Sequence, residues 1–75
     1  MTRLPVISGQ ACVKALERAG FVFRRQKSSH IRLYRESTQT QITVPDHREL
    51  DTGTLRSIIR EAGLSVAEFV ALLKS

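Results

Sequence analysis

The chain changes its hydrophobic period twice, and those changes divide it into elements. Between Ser8 and Gly20, the residues Cys12, Val13, Leu16 and Ala19 recur at the spacing of a helix with one apolar side. Ser8 can accept from an open N–H of the first turn, and Gly20 can adopt the left-handed conformation that stops a helix, so a helix is predicted over about residues 9 to 19. From Phe21 the period drops to two. FVFRRQ opens with aromatic and β-branched residues, HIRLYRE alternates strictly, and QITVP ends at a proline that removes a ladder donor. Separated by the short polar segments KSS and STQT, these runs predict three antiparallel strands.

Alternation then sorts the side chains by face. Ile31 and Leu33 share one face with Ile42 and Val44, while His30, Arg32 and Tyr34 share the other with Gln41 and Thr43. Carried back to the first strand, the same phase puts Phe21 and Phe23 in the core and sets Arg24 and Gln26 beside His30. Arg25 and Arg35 are directed the other way, at strand ends or the sheet rim, where long stems can cover apolar surface. After the loop DHRELDTG the period returns to 3.6, with Leu55, Ile58, Ile59 and Ala62 on one stripe and Gly63 as the stop, which predicts a helix over about residues 53 to 62. In GLSVAEFVALLKS, Ser65 and Glu68 form a capping box and Leu64 is placed to staple onto Phe69, so a third helix runs to about Lys74. Its apolar residues Val66, Phe69, Val70 and Leu73 read first as core and second as a partner surface. The expected fold is α+β, in the order α-β-β-β-α-α, with a three-stranded antiparallel sheet covered by helices on one face. At 75 residues, it is expected to be one domain, residues 1–75.

That layout leaves one sheet face to solvent, and composition says what the face carries. The formal net charge is +5, and RRQKSSHIRLYRE, residues 24–36, holds five basic side chains and a histidine before the first acid, Glu36. Such a surface suits nucleic acid, an anionic membrane or an acidic protein, and charge alone does not choose among them. Cys12 is the single cysteine, which excludes an internal disulfide or a multi-cysteine metal site; on an apolar stripe it reads as a small buried hydrophobe rather than a nucleophile. Its solitude suits a reducing compartment, the cytoplasm by default. No apolar run reaches the length of a membrane span, and the one in MTRLPVISG is too short for a signal peptide. Gly-rich phosphate loops, HExxH and GxSxG patterns are missing, so neither a metal nor a small-molecule cofactor is expected.

Four stretches in fixed order carry a family likeness: ALERAGF, KSSH at the entry to the second strand, ITVPDH at the end of the third, and GTLRSIIREAGLS through the second helix. Together they resemble the HicA toxins, also called the YcfA-like family, small ribonucleases of type II toxin–antitoxin systems. The resemblance covers nearly the whole chain and implies a fold similar to double-stranded-RNA-binding domains. It further implies that the protein is an mRNA interferase, a metal-independent endoribonuclease that cleaves mRNA, that His30 is its catalytic histidine, and that its partner is a HicB-like antitoxin. Members usually show Gly-Ser-His where this chain has Ser28, Ser29 and His30, so the histidine matches and the glycine does not.

Read by itself, a histidine facing solvent on a strand is either an ordinary surface residue or a proton-transfer group. RNA supplies its own nucleophile, the 2′-hydroxyl, and then needs a base, an acid and cations for the phosphorane charge. Arg24, Lys27 and Arg32 are the candidates to hold the phosphate, and Ser29 and Tyr34 complete the expected RNA-binding set. Tyr34 can stack on a base or simply cover the sheet. His47 is either the second proton-transfer group or a loop residue bonded to nearby backbone, and Arg56 with Arg60 on the second helix is either a contact to RNA backbone or a solvated face. The competing readings are a non-catalytic RNA-binding module of double-stranded-RNA-binding type, and a domain whose basic face meets an acidic protein.

Overall fold

Serines and glycines punctuate the helices much as the pattern requires. In the computed structural model, which describes residues 3–75, helix α1 spans Gly9–Arg18 and starts at Ser8, whose hydroxyl accepts from the Ala11 N–H at 3.1 Å. Met1 and Thr2 of the MTRLPVISG segment lie outside the described residues. Helix α2 spans Thr52–Glu61 and α3 spans Val66–Leu73, the latter opened by a complete capping box in which Ser65 and Glu68 exchange backbone-to-side-chain bonds of 2.8 and 3.0 Å. Gly20 and Gly63 follow α1 and α2 with φ of +100° and +75°.

Between α1 and α2 lie β1 (Val22–Lys27), β2 (His30–Arg35) and β3 (Thr40–Pro45), paired antiparallel in the order β1-β2-β3, with a 3₁₀ turn at Glu36–Thr38 joining the last two. The architecture is therefore α+β in the order read from the periodicity. Ile31, Leu33, Ile42 and Val44 are buried together with Cys12, Leu16, Leu55, Ile58, Ile59 and Phe69. Helices α1 and α2 pack on β3, and α3 on α1 and α2, so the whole helical layer lies on one sheet face. Among the described residues no helix is long and apolar enough to cross a membrane.

The phase of β1 departs from strict alternation. Phe23 pairs with Leu33, but the next paired residue is Arg25, opposite Arg32, and Arg24 is the extra residue of a β-bulge. Beyond the bulge every side chain changes face: Arg25 and Lys27 join Arg32 and His30 on the open face, and Gln26, paired with Ile31, turns to the helix side. Strict alternation had placed Gln26 beside His30 and Arg25 opposite to it, and both assignments are corrected. Phe23 is corrected too: it lies on the inner face yet is 51% exposed, because β1 is an edge strand and the helices sit over the far edge. Phe21, just ahead of the strand, is core at 3%. Leu50 is a buried residue in a polar loop that periodicity has no means to flag; its N–H donates to the Ile7 carbonyl at 2.8 Å.

Candidate functional site

The turn that delivers His30 has only two central residues. Lys27 pairs with His30 across it, so Ser28 and Ser29 form a two-residue hairpin loop, and Ser28 has φ +58°. A positive φ at the first central position is where type II′ turns favour glycine, and L-residues there carry a penalty of about 1–2 kcal/mol. Glycine would adopt this backbone conformation freely, and Ser28 adopts it despite its Cβ.

Below the turn, on the helix side, Asp46 ties three segments together. Its N–H donates to the Ser29 carbonyl at 2.7 Å, and its carboxylate accepts from Gln26 Nε2 at 2.9 Å and from Gln10 Nε2 at 3.1 Å. Gln26 also donates to the Ser28 carbonyl at 3.2 Å. Gly9 makes room for this junction: its N–H donates to the His47 carbonyl at 2.9 Å, and a Cβ there would stand 2.0 Å from the Pro45 carbonyl oxygen. The loop after β3 and the first turn of α1 therefore hold the hairpin end from beneath. The sequence offered no signal for this junction, which joins residues far apart in the chain.

Above the turn, on the open face, Arg25, Lys27, Ser28, His30, Arg32 and Thr43 line a concavity of about 390 Å³. Three cations and a histidine meet there without a carboxylate. Two of the cross-strand pairs, Arg25 with Arg32 and Lys27 with His30, set basic groups side by side, an arrangement that weakens a sheet rather than building one. Folding alone gives no reason for it; an anionic ligand does. His30 and Arg32 are exposed, and Tyr34 is half-buried beside them.

Not every expected residue joins the concavity. Arg24 stands over the Tyr34 ring, its guanidinium carbon 5.0 Å from the centroid, so these two pair with each other at its margin. Ser29 is turned to the Asp46 junction through its carbonyl, and Ser28 takes its place in the lining. His47 contributes its backbone carbonyl to Gly9, and its side chain is not part of the lining. Arg56 and Arg60 are exposed on α2, in the layer on the opposite side of the sheet. Arg25 is the residue missed by sequence reading, and the break in apolar phase after Phe23 was its only trace. Among the described residues no group of histidine, cysteine, aspartate and glutamate side chains comes together to hold a metal ion.

The family model for the HicA toxin of bacterial toxin–antitoxin systems matches residues 9–64. The chain belongs to the HicA toxin family. The matched span holds α1, the entire sheet with its basic concavity, and α2, while α3 follows it. No individually curated protein matches the chain. Within this HicA chain the turn, the bulge and the concavity all fall in the part that defines the family.

Proposed function

We propose that this HicA toxin is a metal-independent endoribonuclease that cleaves mRNA, with His30 as its catalytic residue, and that a HicB-like antitoxin neutralises it. The observation that supports this reading best is the setting of His30: exposed, in the lining of a concavity whose remaining charges are the cations Arg25, Lys27 and Arg32. Cleavage would proceed by attack of the RNA 2′-oxygen on the adjacent phosphorus. The new oxygen–phosphorus bond forms as the bond to the 5′-oxygen breaks, leaving a 2′,3′-cyclic phosphate and a 5′-hydroxyl. The 2′-hydroxyl loses one proton and the 5′-oxygen gains one. His30 carries one of these transfers and water the other, while the cations offset charge on the phosphorane oxygens.

The test is His30→Ala against wild type on single-stranded RNA in EDTA, with thermal melts of both proteins. His30 is exposed and is not one of the buried core residues, so its removal should change stability by at most about 0.5 kcal/mol, whereas losing a proton-transfer group should slow cleavage by roughly 10²- to 10⁴-fold. Equal cleavage by both proteins would remove His30 from the mechanism. No cleavage by either, with tight binding retained, would leave the RNA-binding module as the better reading.

A further inference from the structure

We propose that the bulge in β1 gives two adjacent arginines different tasks: Arg25, paired with Arg32, seats the phosphate on which His30 acts, while Arg24 and Tyr34 form a separate ledge for an unpaired base. The proposal rests on the nuclease reading and names the form of its substrate, an extended single strand.

Three rows cross the open face, starting at the turn. The first is Lys27 with His30, the second Arg25 with Arg32, and the third Val22 with Tyr34, over which Arg24 lies. Without the bulge, Arg24 would stand opposite Arg32 and Arg25 would face the helices. With it, both arginines reach the open face but only Arg25 enters the concavity. Rows two residues apart on a strand are about 6–7 Å apart, comparable to the separation of successive phosphates along an extended nucleic-acid strand. One phosphate between Arg25 and Arg32 would therefore put its neighbour beside Lys27 or toward Tyr34. A guanidinium fork suits the non-bridging oxygens of the seated phosphate. Arg24 lies over the Tyr34 ring, its guanidinium carbon 5.0 Å from the centroid, so a base would stack on the outer side of the guanidinium or on the part of the ring left uncovered, and such stacking requires a base free of its partner. A duplex would offer the phosphates but not the base. The exposed cations of α2 lie on the other side of the sheet and do not extend the track.

The experiment uses the whole protein in EDTA with a DNA strand carrying one ribonucleotide, and hence one cleavable linkage, and with the all-2′-deoxy strand, which it cannot cleave. Each is also made with an abasic nucleotide beside that linkage. Arg25→Ala should lower the single-turnover rate by about 10²-fold or more, and Arg25→Lys should recover part of it. Arg24→Ala and Tyr34→Ala should leave the maximal rate within about threefold and raise the half-saturating concentration instead, a difference from wild type that the abasic strand erases. Equal rate losses from Arg24→Ala and Arg25→Ala, or a larger one from Arg24→Ala, would overturn the division of tasks. If wild type cleaves nothing, the nuclease reading has failed and the uncleavable strand judges the seat separately. Weakened binding by Arg25→Ala that ignores the abasic site, against weakening by Arg24→Ala that vanishes with it, would support the two subsites. An identical response of the two variants, or tighter binding of a duplex than of the single strand, would overturn them.

Discussion

Ser28 shows how a single backbone angle can matter close to the side chain proposed to be catalytic. Its φ of +58° is one that glycine adopts freely, so Ser28→Gly should relieve the left-handed penalty and, after glycine's own entropic disadvantage, raise stability by about 0.5–1 kcal/mol. Urea unfolding of the two proteins measures this, and a loss of stability would show that Ser28 makes compensating contacts. Cys12 illustrates the reverse case, a side chain whose chemistry is suppressed by its place. Burial pushes its thiol from 9.0 up to about 12, because the thiolate would be desolvated among core residues. Below about pH 9 the thiol is protonated in both folded and unfolded chains. Above it the unfolded chain releases the proton and the folded one keeps it, so stability should fall as pH rises from about 9 to 12, by at most about 1.4 kcal/mol per pH unit from this group. Cys12→Ala should show a shallower alkaline slope in denaturant titrations, even though it starts from a lower stability; identical slopes would mean the thiolate is tolerated.

Among the elements, a single strand-end arginine ties the sheet to the C-terminal ends of two helices. Arg35 lies at the end of β2, on the inner side, and donates to the C-terminal carbonyls of two helices, Ala19 at 3.1 Å and Ala62 at 2.9 Å, and to the Thr38 hydroxyl at 3.0 Å. Its guanidinium also stands over the Phe21 ring, 4.5 Å from the centroid. A cation at a helix C-terminus meets both the free carbonyls and the negative end of the dipole, and here one group meets two helices at once. Arg35→Ala should therefore cost about 2–4 kcal/mol, several times the effect of Arg32→Ala, while the cleavage rate of the folded fraction stays near wild type. Thermal melts with rates corrected for the folded fraction check this. A small loss would mean that water replaces the guanidinium without penalty.

At the scale of the molecule, all three helices lie on one side and the basic concavity opens on the other, so the proposed site is uncovered in the isolated chain. Inhibition by a protein partner then has a simple route, which is to bring acidic groups onto that face. In a His47→Ala background His30 is the sole histidine, and diethyl pyrocarbonate should modify it readily in the free toxin and poorly in an inhibited complex. High salt should weaken that complex. Unchanged modification of His30 in a fully inhibited complex would show that the antitoxin acts elsewhere.

Local pattern settled most of the architecture. The 3.6-residue stripes, the serine caps, the glycine stops and the alternation in HIRLYRE are signals carried within a few residues of one another, so the element order and the outward placement of His30, Arg32 and Tyr34 were legible in the chain. The tertiary structure decided what depends on partners distant in sequence. Strand pairing introduced the bulge that exchanged the faces of Arg25 and Gln26, since register is a property of two strands and not of one. The position of the helical layer left Phe23 exposed, and packing of α1 against the end of β3 brought Gln10, Gln26 and Asp46 together beneath the hairpin turn. A period of two can state which residues alternate, but only the neighbouring strand determines where the alternation slips.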